Sequence, residues 1–329
     1  MDLSNKNVFV TGAGGFIGSH LCEHLVQSGA NVTAMLHYNS KSDWSNLEFI
    51  DEETRRAMRV IKGNVEDSSF IDMKTKGQDV IFHLAALIGI PYSYEAPLSY
   101  VRTNVVGTTN ILEAARKNDI DLVINTSTSE TYGSAVYTPI DELHPLQGQS
   151  PYSASKISAD KLAEAYFNSF ELPVITVRPF NTYGPRQSSR AVIPTIISQL
   201  ISSEALTLGD LSPVRDFTYV EDTANGFLCA AKMDQHIGEV INLGYGKAAS
   251  IGETANIIME IMNIKKEIIS EDSRLRPKNS EVLHLVSDNR KANDLINWKP
   301  EVDFTSGLER TIEFIKSNLE LFRTDSYNI

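Results

Sequence analysis

Tyr152 and Lys156 stand four residues apart in Tyr152-Ser153-Ala154-Ser155-Lys156, a spacing that sets a phenol and an ammonium on one face of a helix. A cation near a phenol favours its ionised form and draws a tyrosine pKa from about 10 towards working pH. Such a pair suits a base that takes a proton from a hydroxyl while hydride leaves the same carbon. Alone, the spacing is common surface decoration. Its order in the chain gives it weight, because Ser127-Thr128-Ser129-Glu130-Thr131-Tyr132-Gly133 precedes it and a glycine-rich loop precedes both.

That loop, Thr11-Gly12-Ala13-Gly14-Gly15-Phe16-Ile17-Gly18, follows the apolar run Val8-Phe9-Val10 and opens a helical pattern. Gly12, Gly15 and Gly18 recur every third residue, a variant of the dinucleotide fingerprint. Glycines permit a tight turn and close backbone approach, and the helix N-terminus then offers free N–H groups to a pyrophosphate. The bland alternative is a glycine-rich connection without a ligand; the strand before and the helix after count against it. A carboxylate for an adenosine ribose is expected at the end of the second strand, where Leu36, His37 and Tyr38 stand instead. His37, Asn39, Ser40 and Lys41 could bond a ribose hydroxyl or a 2′-phosphate. The lack of an arginine there favours NAD, and NADP stays open.

The elements that must position these groups alternate. Strands are expected at Val8–Val10, Val32–Leu36, Arg59–Ile61, Asp79–Leu84, Leu122–Thr126 and Val174–Val177, and helices from Phe16 to about Gln27, Pro97 to Lys117 and Tyr152 to Phe170. Alternation implies an α/β fold, a doubly wound parallel sheet of Rossmann type with helices on both faces. After Arg178 the rhythm loosens at Pro179, Pro185 and Pro194, and helices follow at Ile193–Ser202, Ile251–Met262 and Thr305–Leu319. We therefore divide the chain into residues 1–178, a nucleotide-binding domain, and 179–329, a smaller C-terminal α/β substrate lobe. A segment near 219–244 is a candidate to return to the first. Thr324 to Ile329 should fray.

Composition narrows the class. The chain has 329 residues, 42% of them hydrophobic, and 30 Lys+Arg against 42 Asp+Glu, a net charge of −12. An acidic whole argues against a general nucleic-acid binder, though not against a local basic pocket. Cys22 and Cys229 build neither a disulfide framework nor a metal cluster, and seven histidines without H-E-x-x-H spacing leave a metal site unlikely. No apolar run approaches the roughly 20 residues that span a bilayer, and the N-terminus lacks a secretory segment. A cytoplasmic protein is the expectation, with neither nucleic acid nor membrane as a partner.

Longer strings make the chain resemble the extended short-chain dehydrogenase/reductases that act on nucleotide sugars. They are the glycine loop, His83-Leu84-Ala85-Ala86, Asn104 with Gly107-Thr108, Ser127-Thr128-Ser129-Glu130, Tyr152 with Lys156, Arg178-Pro179-Phe180-Asn181-Thr182-Tyr183-Gly184-Pro185-Arg186, Arg215 to Asp222, and Arg276-Pro277. The resemblance implies that Thr128 bonds the reacting sugar oxygen, Tyr152 is the base and Lys156 orients the nicotinamide ribose. It implies NAD contacts from Gly12, Gly15, Phe16, Ile17 and Gly18, then Asn64, Val65, Leu84, Ala85, Ala86 and Asn104. For the substrate it implies Tyr92, Asn181, Arg186, Val192, Leu208, Arg215, Arg276 and Glu281, the two late arginines gripping the diphosphate. An ion pair of Arg215 with Asp216 or Glu221 is the structural alternative. Family dimers pair two helices into a four-helix bundle, so the resemblance also implies a homodimer through residues 97–117 and 152–170.

Within that family Ser129 and Glu130 choose the reaction. A 4-epimerase needs only the hydroxyl and the phenol. A 4,6-dehydratase needs a further base, because a ketone at C4 makes the C5 proton acidic. Thr128-Ser129-Glu130 resembles the triplet of GDP-mannose 4,6-dehydratases, whereas dTDP-glucose dehydratases carry an aspartate in the middle. Glu130 must then both accept a proton and return it to the departing hydroxyl. UDP-xylose synthases share the triplet. The strings His83–Ile88, Ile90–Tyr94, Pro145–Tyr152 and Arg186-Gln187 to Pro194 resemble the dehydratases of legionaminic-acid pathways, which act on a nucleotide-linked N-acetylglucosamine. Lys41-Ser42-Asp43-Trp44-Ser45-Asn46 departs from them. A related reading is the oxidoreductase of a split pseudaminic-acid route, which would carry a 5,6-ene through the second half of the same cycle. A non-catalytic NAD-binding sensor is the reading from another class; retention of Thr128, Tyr152 and Lys156 together opposes it. His83 reads as a packed structural histidine.

Overall fold

The computed structural model describes residues 1–232, 237–271, 277 and 280–322. Short uninterrupted apolar runs make its first sheet. In β1 (Asn7–Thr11) Val8, Phe9 and Val10 are wholly buried, as a parallel strand covered on both faces requires. α1 (Phe16–Gln27), β2 (Asn31–His37), α2 (Glu52–Arg56), β3 (Arg59–Gly63), α3 (Ser68–Thr75) and β4 (Val80–His83) continue the alternation. Then come α4 (Ile90–Glu95), α5 (Pro97–Tyr100), α6 (Gly107–Lys117), β5 (Leu122–Thr126), α7 (Pro151–Phe170) and β6 (Val174–Pro179). Beyond them lie β7 (Asn181–Tyr183), α8 (Val192–Ser202), β8 (Leu206–Leu208), β9 (Val214–Tyr219), α9 (Val220–Ala231) and β10 (Val240–Leu243). The chain closes with β11 (Ala248–Ser250), α10 (Ile251–Met262), β12 (Ile268–Ser270), β13 (His284–Leu285), α11 (Arg290–Ile296) and α12 (Phe304–Ser317).

Seven strands, each parallel to its neighbour, form the main sheet in the order β3-β2-β1-β4-β5-β6-β10. Winding reverses between β1 and β4, which opens a crevice at the carboxyl ends of the strands. This is the doubly wound Rossmann-type α/β fold with a smaller C-terminal α/β lobe. After the chain leaves β6, α9 packs against α1 and β10 adds to the sheet beside β6. The smaller lobe builds its own core from Ile193, Ile196, Ile197, Ile258, Leu308 and Ile312.

Two regions differ from the sequence reading. The helix expected over 97–117 is not regular, because Val101–Val106 widen into a π-turn between α5 and α6. Asn104 lies in that turn, and its side chain leaves the helix to brace a neighbouring loop. The second lobe, read as mainly helical after its prolines, also holds β7, β8, β11, β12 and β13. Each is only two or three residues long, too short for an alternating pattern to register.

Candidate active site

A cleft of about 920 Å³ lies over the carboxyl ends of β1, β2, β4 and β5 and reaches the second lobe. One end is the glycine loop. Gly12 holds φ +71°, and a Cβ there would stand 2.7 Å from the backbone nitrogen of Ala85. Gly15 caps α1 without a side-chain hydrogen bond, and the first turn carries no acidic residue. The first N–H groups of α1 are therefore left for an anion, and Gly15, Phe16, Ile17 and Gly18 all face the cleft. His37, Asn39, Asn64, Val65, Leu84, Ala85 and Ala86 continue the wall. This cradle fits a dinucleotide.

Three expected cofactor contacts stand elsewhere. Ser40 and Lys41 are exposed and off the wall, because the chain turns outward after β2 and the Lys41 carbonyl accepts from the Lys62 ammonium. Asn104 is buried behind the wall. Its carboxamide accepts from the N–H of Leu87 (2.8 Å) and donates to the Leu87 carbonyl (3.0 Å) and Ser155 Oγ (2.9 Å), so it braces the loop after β4.

At the opposite end, β5 runs into a one-turn helix, Ser129–Tyr132. Thr128 caps it, accepting from the N–H of Glu130 at 3.2 Å, and Gly133 at φ +62° ends it. Thr128, Ser129 and Glu130 all reach the cleft. α7 starts on a reciprocal cap between Ser150 and Ser153, with Pro151 in the first turn. That start points Tyr152, Lys156 and Asp160, successive turns of one face, inward, where all three are buried. The Tyr152 phenol is hydrogen-bonded to Thr128.

Electrostatics here correct the first expectation. Burial pushes the Tyr152 phenol well above the usual tyrosine range; the bond to Thr128 opposes this, and the nearby negative charge of Glu130 adds to it. The Lys156 ammonium donates to the Thr126 carbonyl at 2.5 Å. Burial lowers the Lys156 pKa, and Asp160 works against the shift. In the chain alone, desolvation outweighs the ammonium. His83 is a strut: its ring nitrogens lie 2.8 Å from Thr11 Oγ1 and 3.0 Å from Thr108 Oγ1, and burial lowers its pKa to about 3.

Towards the second lobe, Asn181, Val192, Leu208, Arg215 and Glu281 line the cleft. Arg215 pairs with Glu281 at 3.1 Å. Asp216, the partner weighed for it, instead accepts backbone N–H groups of Tyr245 (2.7 Å), Gly246 (2.8 Å) and Ser287 (3.0 Å). Two expected substrate residues lie off the wall. Arg186 turns back to α1 and pairs with Glu23 at 2.5 Å. Tyr92 is exposed, its ring 6.2 Å from that of Tyr100. Arg276 lies outside the described residues.

Sequence reasoning missed Ser45, Thr126, Gln187 and Arg190, which also line the cleft. Thr126 ends β5, and Gln187 and Arg190 lie in the Arg186–Pro194 string, whose likeness to a family does not say which of its side chains face the crevice. Thr126 Oγ1, Asn181 Oδ1 and Gln187 Oε1 are buried there without a hydrogen-bond partner, the condition of a wall built to hold a polar ligand. Among the described residues no His, Cys, Asp and Glu cluster could hold a metal ion, and no helix is long and apolar enough to cross a membrane.

Residues 9–311 match the protein family described as GDP-mannose 4,6 dehydratase. The chain is 33% identical over 319 residues to a putative UDP-glucose 4-epimerase of Methanocaldococcus jannaschii, covering 94% of this chain and 99% of that protein. Among solved structures it resembles a UDP-N-acetylglucosamine 4-epimerase from Methanobrevibacter ruminantium, with a TM-score of 0.85 and 31% identity over 96% of this chain and 99% of that one. It also resembles a dTDP-glucose 4,6-dehydratase from Streptomyces venezuelae solved with NAD bound, with a TM-score of 0.86 and 28% identity over 95% and 98%.

Proposed function

We propose, from the premise that this chain belongs to the GDP-mannose 4,6-dehydratase family of NAD-dependent nucleotide-sugar epimerases and dehydratases, that it is a 4,6-dehydratase of a UDP- or GDP-linked N-acetylhexosamine. That it is an NAD-dependent enzyme modifying a nucleotide sugar follows from the family and its NAD-bound relatives. One observation carries the finer reading: Glu130 lies on the cleft wall near enough to Tyr152 to act on its phenol electrostatically.

NAD, held along the glycine loop and the Leu84–Ala86 wall, supplies a hydride acceptor and donor. Tyr152 takes the proton of the C4 hydroxyl as that carbon becomes a ketone, and Thr128 bonds the same oxygen. Glu130 then removes the acidified C5 proton and passes it to the C6 hydroxyl, which leaves as water. Return of the hydride to C6, and at C5 of a solvent-exchanged proton that balances the one Tyr152 took from O4, give a 4-keto-6-deoxy sugar. Arg215 and Asn181 hold the nucleotide diphosphate end, arginine's planar fork matching phosphate oxygens.

A 4-epimerase is the second reading. Ser129, buried where dTDP-glucose dehydratases carry an aspartate, leaves Glu130 without that second acid, and two similar proteins are 4-epimerases by name. Incubation with UDP- and GDP-N-acetylglucosamine followed by mass spectrometry separates them: the dehydratase product is lighter by one water, and the epimer has unchanged mass. Turnover of a 5,6-ene alone would favour the split-route oxidoreductase of pseudaminic-acid type over a legionaminic-type dehydratase. Glu130→Gln should keep NAD binding yet lose exchange of the C5 hydrogen with deuterated solvent. Unchanged exchange would take Glu130 out of the role. We also propose a cytoplasmic homodimer through the 97–117 segment and α7; Leu98, Val101 and Val106 are exposed on the first of these.

A further inference from the structure

Beneath the Tyr152 and Lys156 pair lies a buried ionic cluster that the reaction just described does not use. Asp160 Oδ2 accepts from Ser127 Oγ at 2.6 Å and from Arg178 Nε and Nη2 at 3.2 and 2.9 Å. Arg178 Nη1 donates to the Tyr132 hydroxyl at 3.0 Å, and that hydroxyl donates to Asn242 Oδ1 at 2.7 Å. Both charged side chains of the pair are 4% exposed. Burying two charges is costly, and an apolar pair often serves stability as well.

The cluster adjoins the catalytic pair along the chain on two sides. Asp160 follows Lys156 by one turn of α7, and Ser127 sits between Thr126, whose carbonyl accepts from the Lys156 ammonium, and Thr128, which bonds Tyr152. Asp160 Oδ1 is buried with no hydrogen-bond partner, while Oδ2 carries the bonds from Arg178 and Ser127. We propose that Asp160 is a positioning residue for the reaction, keeping Lys156 as an ammonium against the Thr126 carbonyl while Arg178 and Ser127 hold Asp160 in place.

The proposal rests on the reading of Tyr152 and Lys156 as the acting pair. The titratable groups in the surroundings come from each packed element. Tyr152 and Asp160 lie on α7, Tyr100 on α5, His83 on β4, Arg178 on β6, and Glu130 and Tyr132 on the turn after β5. His83 is neutral at working pH. The Asp160 carboxylate favours the protonated state of both Lys156 and Tyr152. The competent pair is a phenolate beside an ammonium, so activity falls below the phenol's titration and above the ammonium's. Removing the Asp160 charge eases proton loss from both groups. Both limbs of the pH profile then move to lower pH.

The test uses the NAD-loaded protein. Asp160→Asn keeps the shape and removes the charge, and we expect both limbs of kcat against pH to shift down by about one pH unit. Tyr152 ionisation, read as ultraviolet difference absorbance against the matching Tyr152→Phe protein, shifts the same way. Asp160→Glu restores the positions of the limbs even where kcat stays low. Should Asp160→Asn fail to fold with Arg178 left unpaired, Asp160→Asn with Arg178→Gln relieves the lone buried charge, and both limbs then shift down by less, because the opposing Arg178 cation is removed as well. Limbs and absorbance that stay in place while kcat falls would overturn the proposal and leave the cluster purely structural. The absorbance needs no sugar, so a nucleotide sugar that does not react counts against the proposed reaction alone.

Discussion

At the scale of single residues, the active-site chemistry is set by desolvation. Tyr152 is buried and its phenol resists ionisation in the chain alone. Tyr152→Phe keeps the ring packing against Tyr100, 6.2 Å away, and removes only the proton acceptor. We expect turnover to fall by about 10²–10⁴-fold with NAD affinity within about twofold of the parent, read by absorbance kinetics and calorimetry. Loss of NAD binding as the main effect would move Tyr152 from chemistry to cofactor docking.

Elements impose the next constraint, since a catalytic side chain is only as well placed as the turn that starts its helix. The glycine loop shows this most directly. At Gly12 positive φ and the nearness of the Ala85 nitrogen leave no room for a side chain. Gly12→Ala should cost about 1–3 kcal/mol of stability from strain alone. It should also weaken NAD by about tenfold or more, because the loop must move away from the chain after β4. Thermal melts with and without NAD measure both effects. Unchanged NAD affinity in the Gly12→Ala protein would mean that the loop does not hold the pyrophosphate.

The whole molecule joins its two lobes around the cleft. Arg186 pairs with Glu23 on α1, and Phe49 meets Phe314 of α12 at 5.2 Å. Arg186→Ala leaves a half-buried carboxylate unpaired and should destabilise the fold by about 1–3 kcal/mol. Because Arg186 is off the cleft wall, KM for the nucleotide sugar should stay within about twofold; a large KM rise with intact stability would return it to the substrate site. The fold also carries an acid sensitivity. Burial holds His20 and His83 neutral, each at about 3 against an ordinary 6.5. Below pH 6.5 the unfolded chain binds protons that the folded chain refuses, so their contribution is complete above 6.5 and is lost as pH falls towards 3. Asp216 runs the other way, raised by burial to about 6 from 3.8, and offsets one proton between those values. His83→Gln should flatten the decline of unfolding free energy with acid by about 1.4 kcal/mol per pH unit. Urea melts across that window check it, and an unaltered slope would show that His83 is protonated in the fold.

What the sequence determined by itself was local. Apolar runs and the helix period announced the alternating strands and helices, and with them the doubly wound sheet. The glycine spacing marked the cradle under the cofactor, and the four-residue interval set Tyr152 and Lys156 on one helical face. These features are legible because they act through neighbours along the chain. Tertiary structure decided the remainder. Arg186 reads as a substrate ligand in its motif, yet the fold pairs it with Glu23; Asn104 reads as a cofactor contact, yet a π-turn aims it at Leu87. Thr126 ends β5 and Gln187 and Arg190 follow β7, and only the fold brings these distant stretches to one crevice. Even the direction of the Tyr152 shift lay beyond the sequence. Helical spacing brings a cation near a phenol, but the depth of burial, set by the packing of every surrounding element, decides which of two opposing electrostatic effects is larger.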